Sequence, residues 1–213
     1  MIDILIPTVA QGLLWALLAL GVYITFRVLD IADLSVEGSF PLGAAVAATA
    51  LVNGHGLIVA FFLAALAGAL AGIVTGFFTT KLRIPALLAG ILTMIGLYSV
   101  NLHVMGKANV ALLRIDTIFT YAESFGLNTS LAMLTVGIVA AVFIGCPMYW
   151  FFGTELGTAI RATGCNDQMA RAQGVNTNRM IVLGLLISNA LVALSGALVA
   201  QSNGFADVGM GTG

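Results

Sequence analysis

Charge is what this sequence has least of. Asp, Glu, Lys and Arg make up 8% of its 213 residues, while hydrophobic residues make up 60%. A soluble domain is about a quarter charged, so this chain could not solvate its own surface as a globule. There are only two cysteines, Cys146 in an apolar run and Cys165 in a polar stretch. No CxxC and no Cys/His spacing for zinc is present, and a disulfide framework is not expected. There is no GxxxxGK[ST], so the chain supplies no P-loop of its own, and Gly209-x-Gly211-x-Gly213 is too weak to count as a phosphate cradle. Paired carboxylates and nucleophile–base sets are also missing. His55 and His103 stand alone and read as interfacial or packing residues. Net charge is −1, which favours neither nucleic acid nor an anionic surface as a general partner. Asp3 stands where a cleavable leader would carry Lys or Arg, and the first apolar run is too long for such a leader.

What the sequence has is long apolar runs. Mean hydropathy is +1.08. A helix that crosses a bilayer needs about 20 mainly apolar residues. Runs over 4–26, 57–80, 85–105, 127–152 and 180–202 meet that length. A sixth, 40–52, is too short unless earlier residues join it. The fold class expected is all-α, a polytopic membrane bundle of about six segments in the lipid bilayer. Gly68, Gly72 and Gly76 recur every four residues on one face of the third run and let another helix approach closely. A static packing seam accounts for them, as would a seam in a bundle that moves.

Basic residues orient the bundle. Arg161, Arg171 and Arg179 place the 153–179 stretch in the cytoplasm. Counting back puts Lys81, Arg83 and Arg27 inside, Lys107 and Arg114 outside, and the N-terminus outside. The loop over 106–126 reads equally as a short surface helix or an ordered loop.

An internal repeat runs at an offset of 174 residues. Ile31-Ala32-Asp33-Leu34-Ser35-Val36 aligns with Phe205-Ala206-Asp207-Val208-Gly209-Met210, and Ala16, Leu17, Ala19 and Leu20 align with Ala190, Leu191, Ala193 and Leu194. Five spans separate the copies, and an odd number inverts the second. Inverted repeats with interrupted helices in matching places are a transporter signature. The short second segment, beginning near Asp33 and carrying Gly38, Pro41 and Gly43, reads as such an interrupted helix; a plain loop followed by a short helix is the alternative. The organisation expected is a first transmembrane repeat over 1–179, including the cytoplasmic loop 153–179, then the start of a second, inverted and incomplete copy over 180–213.

Within that cytoplasmic loop, 155–163 reads as a helix ended by Gly164. Asn166 is a good N-cap for a second helix to about Gln173, which Gly174 ends. A short capped helix between spans suits docking to a cytoplasmic partner, or it rests on the membrane surface as a linker.

The pattern Gly157, Arg161-Ala162, Gly164, Asn166, Ala170 and Gly174 resembles the coupling loop of ABC importer permeases of the branched-chain amino acid and ribose type. Asp33-Leu-Ser-Val-Glu-Gly-Ser-Phe-Pro-Leu-Gly-Ala44 resembles that family's early motif. Residues 11–25 and 87–94 are similar to a bacterial subfamily associated with tryptophan and tyrosine uptake. The resemblance implies a permease of the bacterial cytoplasmic (inner) membrane that works as a dimer, most simply a homodimer with a second permease chain. It implies a cytoplasmic ABC ATPase dimer as partner, and a periplasmic or lipoprotein solute-binding protein outside. It implies no cofactor in this chain, with ATP and Mg on the ATPase. Gly157, Arg161, Ala162, Gly164, Asn166, Ala170, Arg171 and Gly174 would then dock the ATPase. Members of that family run several helices beyond Gly213.

For the solute path, Asp33, Ser35, Glu37 and Ser39 are the candidate polar groups, and Met94, Leu97 and Tyr98 candidate apolar walls. The carboxylates could instead only cap helices or bind Arg27. An ion-coupled secondary transporter is the competing function. It would need ionisable groups at the midplane, and Asp33, Glu37 and Asp207 are the candidates, all near segment ends.

Overall fold

The computed structural model describes residues 2–113, 115–124, 126 and 128–211. They form an all-α bundle with one small ribbon. In chain order the elements are α1 (Ile2–Tyr23), a π-helical turn (Ile24–Val28), α2 (Val36–Val52), α3 (Leu57–Thr80), α4 (Ala86–Met105), β1 (Asn109–Ala111), α5 (Ile118–Ser124), α6 (Thr129–Gly153), α7 (Glu155–Cys165), α8 (Asp167–Ala172), α9 (Thr177–Asn203) and β2 (Phe205–Asp207). Among these, five helical segments are long and apolar enough to cross a bilayer, and α2 is a shorter apolar helix.

Helix α9 is the axis of the bundle. It packs on α3, α2 and α1, and much of it is buried within a single chain. Close approach explains why. A side chain on Gly68 of α3 would strike the Asn189 carbonyl, one on Gly72 the Leu185 carbonyl, and one on Gly76 the body of Val182. The glycine stripe is therefore a contact face, with α3 running antiparallel to α9. Two serines of α9 add hydrogen bonds to α1. Ser188 Oγ donates to the Gly21 carbonyl at 2.7 Å and Ser195 Oγ to the Leu14 carbonyl at 2.8 Å. Without a hydrophobic drive between helices in lipid, such close packing and hydrogen bonding hold a bundle together.

These contacts also fix the directions. α1 and α3 run opposite to α9, while α2 runs with it, since Gly43 lies against Ala193 and Ser39 against Asn189. Helix α4 runs with α2, Gly90 beside Leu34 at one end and Thr49 bonded to the Val104 carbonyl at the other. Helix α6 runs beside α1 in the same sense, Gly137 against Leu13 near one end and Gly145 near Leu20 at the other. The five long helices and the shorter α2 thus alternate in direction along the chain.

Helix boundaries depart from the sequence reading in two places. The second segment starts at Val36 rather than Phe40, and it passes through Pro41 without a break. Pro41 is the sixth residue of α2; having no N–H, it leaves the Glu37 carbonyl without its helical donor, on the side where Gly211 packs. The irregular backbone lies earlier, from Leu29 to Ser35. In the 153–179 loop the first helix continues through Gly164 to Cys165. Gly164 is instead a contact point, where a side chain would strike the Val28 carbonyl.

The 106–126 loop contains both a strand and a helix. β1 pairs antiparallel with β2, Asn109 opposite Asp207, Val110 opposite Ala206 and Ala111 opposite Phe205. The Ile118 amide at the start of α5 donates to Gln201 Oε1 at 3.1 Å. This loop is thus pinned to the end of α9. Arg114 lies outside the described residues.

Candidate functional site

Three of the polar residues expected along a path converge, and a fourth that the sequence reading missed joins them. Asp33, Ser35, Ser39 and Asn189 are fully buried. The Ser35 amide donates to Asp33 Oδ1 at 2.8 Å, closing a turn in which the carboxylate caps its own backbone. Asn189 Nδ2 donates to Asp33 Oδ2 at 3.1 Å and to the Leu185 carbonyl at 3.0 Å. Its Oδ1 accepts from Ser39 Oγ at 2.7 Å and Ser35 Oγ at 3.1 Å. One amide side chain therefore holds the irregular segment, the start of α2 and its own helix. Gly90 of α4 closes the other side, because a side chain there would strike the Leu34 amide.

The depth of this cluster follows from α9. Asn189 is the thirteenth of its 27 residues, and at 1.5 Å per residue α9 rises about 40 Å. The Asp33 turn thus sits near the middle of the bundle. The chain leaves α1, passes Leu29 beside Gly184, and climbs to mid-depth before α2 begins. Unwound backbone at that depth has to be covered by protein or line a water-filled cavity.

The Ala-Asp turn after α9 has the same local geometry. The Gly209 amide donates to Asp207 Oδ1 at 2.6 Å, as Ser35 does to Asp33. This turn enters from the opposite end of the bundle, starting at the β1–β2 ribbon. It brings Gly211 against the Glu37 carbonyl and the Pro41 ring. Two irregular segments, one from each side, meet at the first turn of α2.

Glu37 lies at that meeting point, and its side chain is exposed. The remaining candidates separate. Leu97 is buried and, with the backbone of Met94, packs against Gly38. Tyr98 is on the exposed side of α4, and Met94 is half-buried. Among the described residues the one ion pair is Arg171–Asp167, so neither carboxylate is bound to Arg27. Asn101 is fully buried; its Nδ2 donates to the Gly38 carbonyl at 3.3 Å, while its Oδ1 has no protein partner.

The elbow formed by α7 and α8 is built by three N-caps. Side-chain oxygens of Thr154, Asn166 and Asn176 accept from the amides of Gly157, Met169 and Arg179, opening α7, α8 and α9 in turn. Gly174 has φ +87°, the left-handed value that ends α8. Arg171 braces the elbow. Its Nη2 lies 3.0 Å from Asp167 Oδ2, and its Nε donates to Thr177 Oγ1 at 2.7 Å. The Thr177 hydroxyl, and then Arg171, hold the Asp167 carboxyl below its ordinary pKa. Of the docking candidates, Gly157 and Ala170 are buried and Gly164 is half-buried, so they shape the elbow. Arg161, Ala162, Asn166, Arg171 and Gly174 are exposed, and so are Leu156 and Met169, two apolar side chains beyond the spans.

Asn189 carries no charge to mark it out in a chain whose rare charges draw the eye to Asp33 and Glu37. An amide in the middle of an otherwise apolar run was the available signal. The three-residue strands left none.

Residues 4–213 match a family described as branched-chain amino acid transport system, permease component. A tyrosine transport system permease protein of Clostridioides difficile is 42% identical over 98% of this chain and 68% of its own length. A Rickettsia prowazekii protein of uncharacterised function is 38% identical over 99% of this chain and 72% of its own. An autoinducer 2 import system permease protein of Yersinia pseudotuberculosis is 32% identical over 89% of this chain and 52% of its own. No solved structure matches.

Proposed function

Because the chain belongs to the family of branched-chain amino acid transport permease components, we propose that it is the membrane subunit of an ATP-driven importer for a small amino acid-like solute. It is a multi-pass protein of the bacterial inner membrane. The observation that carries the proposal is the junction at the start of α2. Two irregular segments entering from opposite ends meet there, and Glu37 presents a carboxylate at mid-depth. A charge facing lipid at that depth is costly, so the Glu37 face borders protein or a water-filled path. Substrate sites between inverted repeats occupy this kind of place. An amino acid's ammonium group would meet Glu37, while Asp33, Ser35 and Ser39, bound to Asn189, keep the junction in shape.

Energy comes from an ATPase dimer that binds the elbow and carries ATP and Mg. The exposed Leu156 and Met169, with Ala162, Asn166, Arg171 and Gly174 around them, support such a docking face. A periplasmic or lipoprotein binding protein delivers solute, and a second copy of this chain completes the path. The named activity of the Clostridioides difficile relative makes an aromatic amino acid the first solute to test.

The test is uptake of labelled tyrosine into proteoliposomes holding the full permease, the ATPase and the binding protein. Uptake should require internal ATP and the binding protein, and Glu37→Gln should reduce it at least tenfold. Uptake driven by an ion gradient without ATP would establish the ion-coupled alternative instead.

A further inference from the structure

Away from this junction, a cleft of about 700 Å³ opens between the ends of α1 and α6 that lead into the elbow. Tyr23 and Ile24 form one wall, Tyr149 and Trp150 the other. Gly145 leaves room between them, since nothing lies within 4 Å of where its side chain would be. The wall on the α1 side is the π-helical turn, whose Leu29 amide reaches back five residues to the Ile24 carbonyl at 3.0 Å. Such widened turns recur at functional sites.

The lining changes character along the cleft. Tyr149 and Trp150 are 87% and 75% exposed, near the end of a span, where amphipathic rings sit at headgroup level. At the elbow end the lining includes Arg161 of α7. Its Nη2 donates to the Phe152 carbonyl at 2.7 Å. A guanidinium has five N–H groups, and among the described residues no carboxylate pairs with this one. An apolar slot with an unneutralised guanidinium at the headgroup end matches one chemistry.

We propose that this cleft binds one anionic phospholipid, its phosphate on Arg161, its glycerol backbone between the Tyr23 and Tyr149 walls and its acyl chains running on past Gly145 and Leu20. That the lipid comes from the cytoplasmic leaflet rests on the orientation of the elbow in the proposed function; the binding itself does not. The chain's net charge of −1 gives no general attraction to an acidic surface, so the site is local and takes one lipid per chain. Basic pockets between membrane helices on the cytoplasmic side favour acidic headgroups.

Native mass spectrometry of the full chain, titrated with phosphatidylglycerol or phosphatidylcholine in detergent, tests it. One phosphatidylglycerol per chain should be retained in preference to phosphatidylcholine. Arg161→Gln should weaken that retention about fivefold, the effect of one basic group near an acidic surface, and Arg161→Lys should keep most of it. Gly145→Leu, whose Cβ meets nothing within 4 Å, projects into the slot and should exclude both lipids while Arg161 stays in place. Equal retention of the two lipids, or Arg161→Gln behaving as wild type, overturns the site. So does efficient disulfide formation between Tyr149→Cys chains in a Cys146→Ala, Cys165→Ala background, which would make the cleft a contact between two copies. None of these readouts involves transport, so they stand or fall separately from the importer reading.

Discussion

Asn189 and Asp33 depend on each other's atoms rather than on each other's charge. The Asp33 carboxylate accepts twice, from the Ser35 amide and from Asn189 Nδ2. An asparagine at 33 keeps one acceptor and places an NH2 where the other was. Facing Asn189 Nδ2, that group forms a donor–donor contact. If Asn189 flips its amide to escape, it loses its bond to the Leu185 carbonyl. Either way a buried polar group goes unmatched, at a cost of about 1–3 kcal/mol. Asp33→Asn should therefore lower the apparent melting temperature of the purified protein, while Glu37→Gln, at an exposed side chain, leaves it within a degree or so. Equal melting temperatures for wild type and Asp33→Asn would show that the lock does not hold the segment. The early polar motif was legible as important because acids are rare in this chain. That Asp33 and Glu37 would part ways, one sealed and one exposed, depended on α9 packing from more than 150 residues away, and no local pattern encodes that.

Helices α7 and α8 show how much of an element local chemistry can specify. Thr154, Asn166 and Gly174 act at the positions their side chains or backbone freedom suit, so the two-helix elbow was readable. Gly164 misled because a glycine serves a helix end and a close contact equally well. The second segment reads too short in the sequence because Glu37, Gly38 and Ser39 in its first turn interrupt the apolar run ahead of Phe40. The brace at Asp167 has a pH signature. Its carboxyl titrates below the ordinary value of about 3.9, so the stability it adds is present in full above that value. It is lost only as pH falls through the lowered folded-state pKa. The pair is half-exposed, and the contribution is accordingly small. A spin label on Gln168 should report unchanged mobility from pH 8 to 5 and loosening below about pH 4, whereas Asp167→Asn should loosen it throughout. Loosening of the wild type between pH 7 and 5 would contradict this account.

Segments in alternating sense put the 106–126 loop and the elbow at opposite ends of the bundle, and the distribution of basic residues predicts that the elbow lies inside. In a Cys146→Ala, Cys165→Ala background, an impermeant maleimide applied to intact cells should label a cysteine replacing Lys107 and spare one replacing Arg171; the reverse labelling would invert the orientation. The segments were legible from apolar length alone, but the central position of α9 was not, because composition does not say which of several similar helices the others surround. That position affects the chain while it is being made. Asp33 is synthesised 156 residues before Asn189, an interval of about 8–30 s at ordinary rates of translation. Until then α2 has no partner for its serines and the turn ahead of it has no amide to close on. The nascent protein must therefore be held by insertion machinery or chaperones with its most polar segment unsatisfied, and ribosome stalling before α9 emerges should send it to membrane proteases.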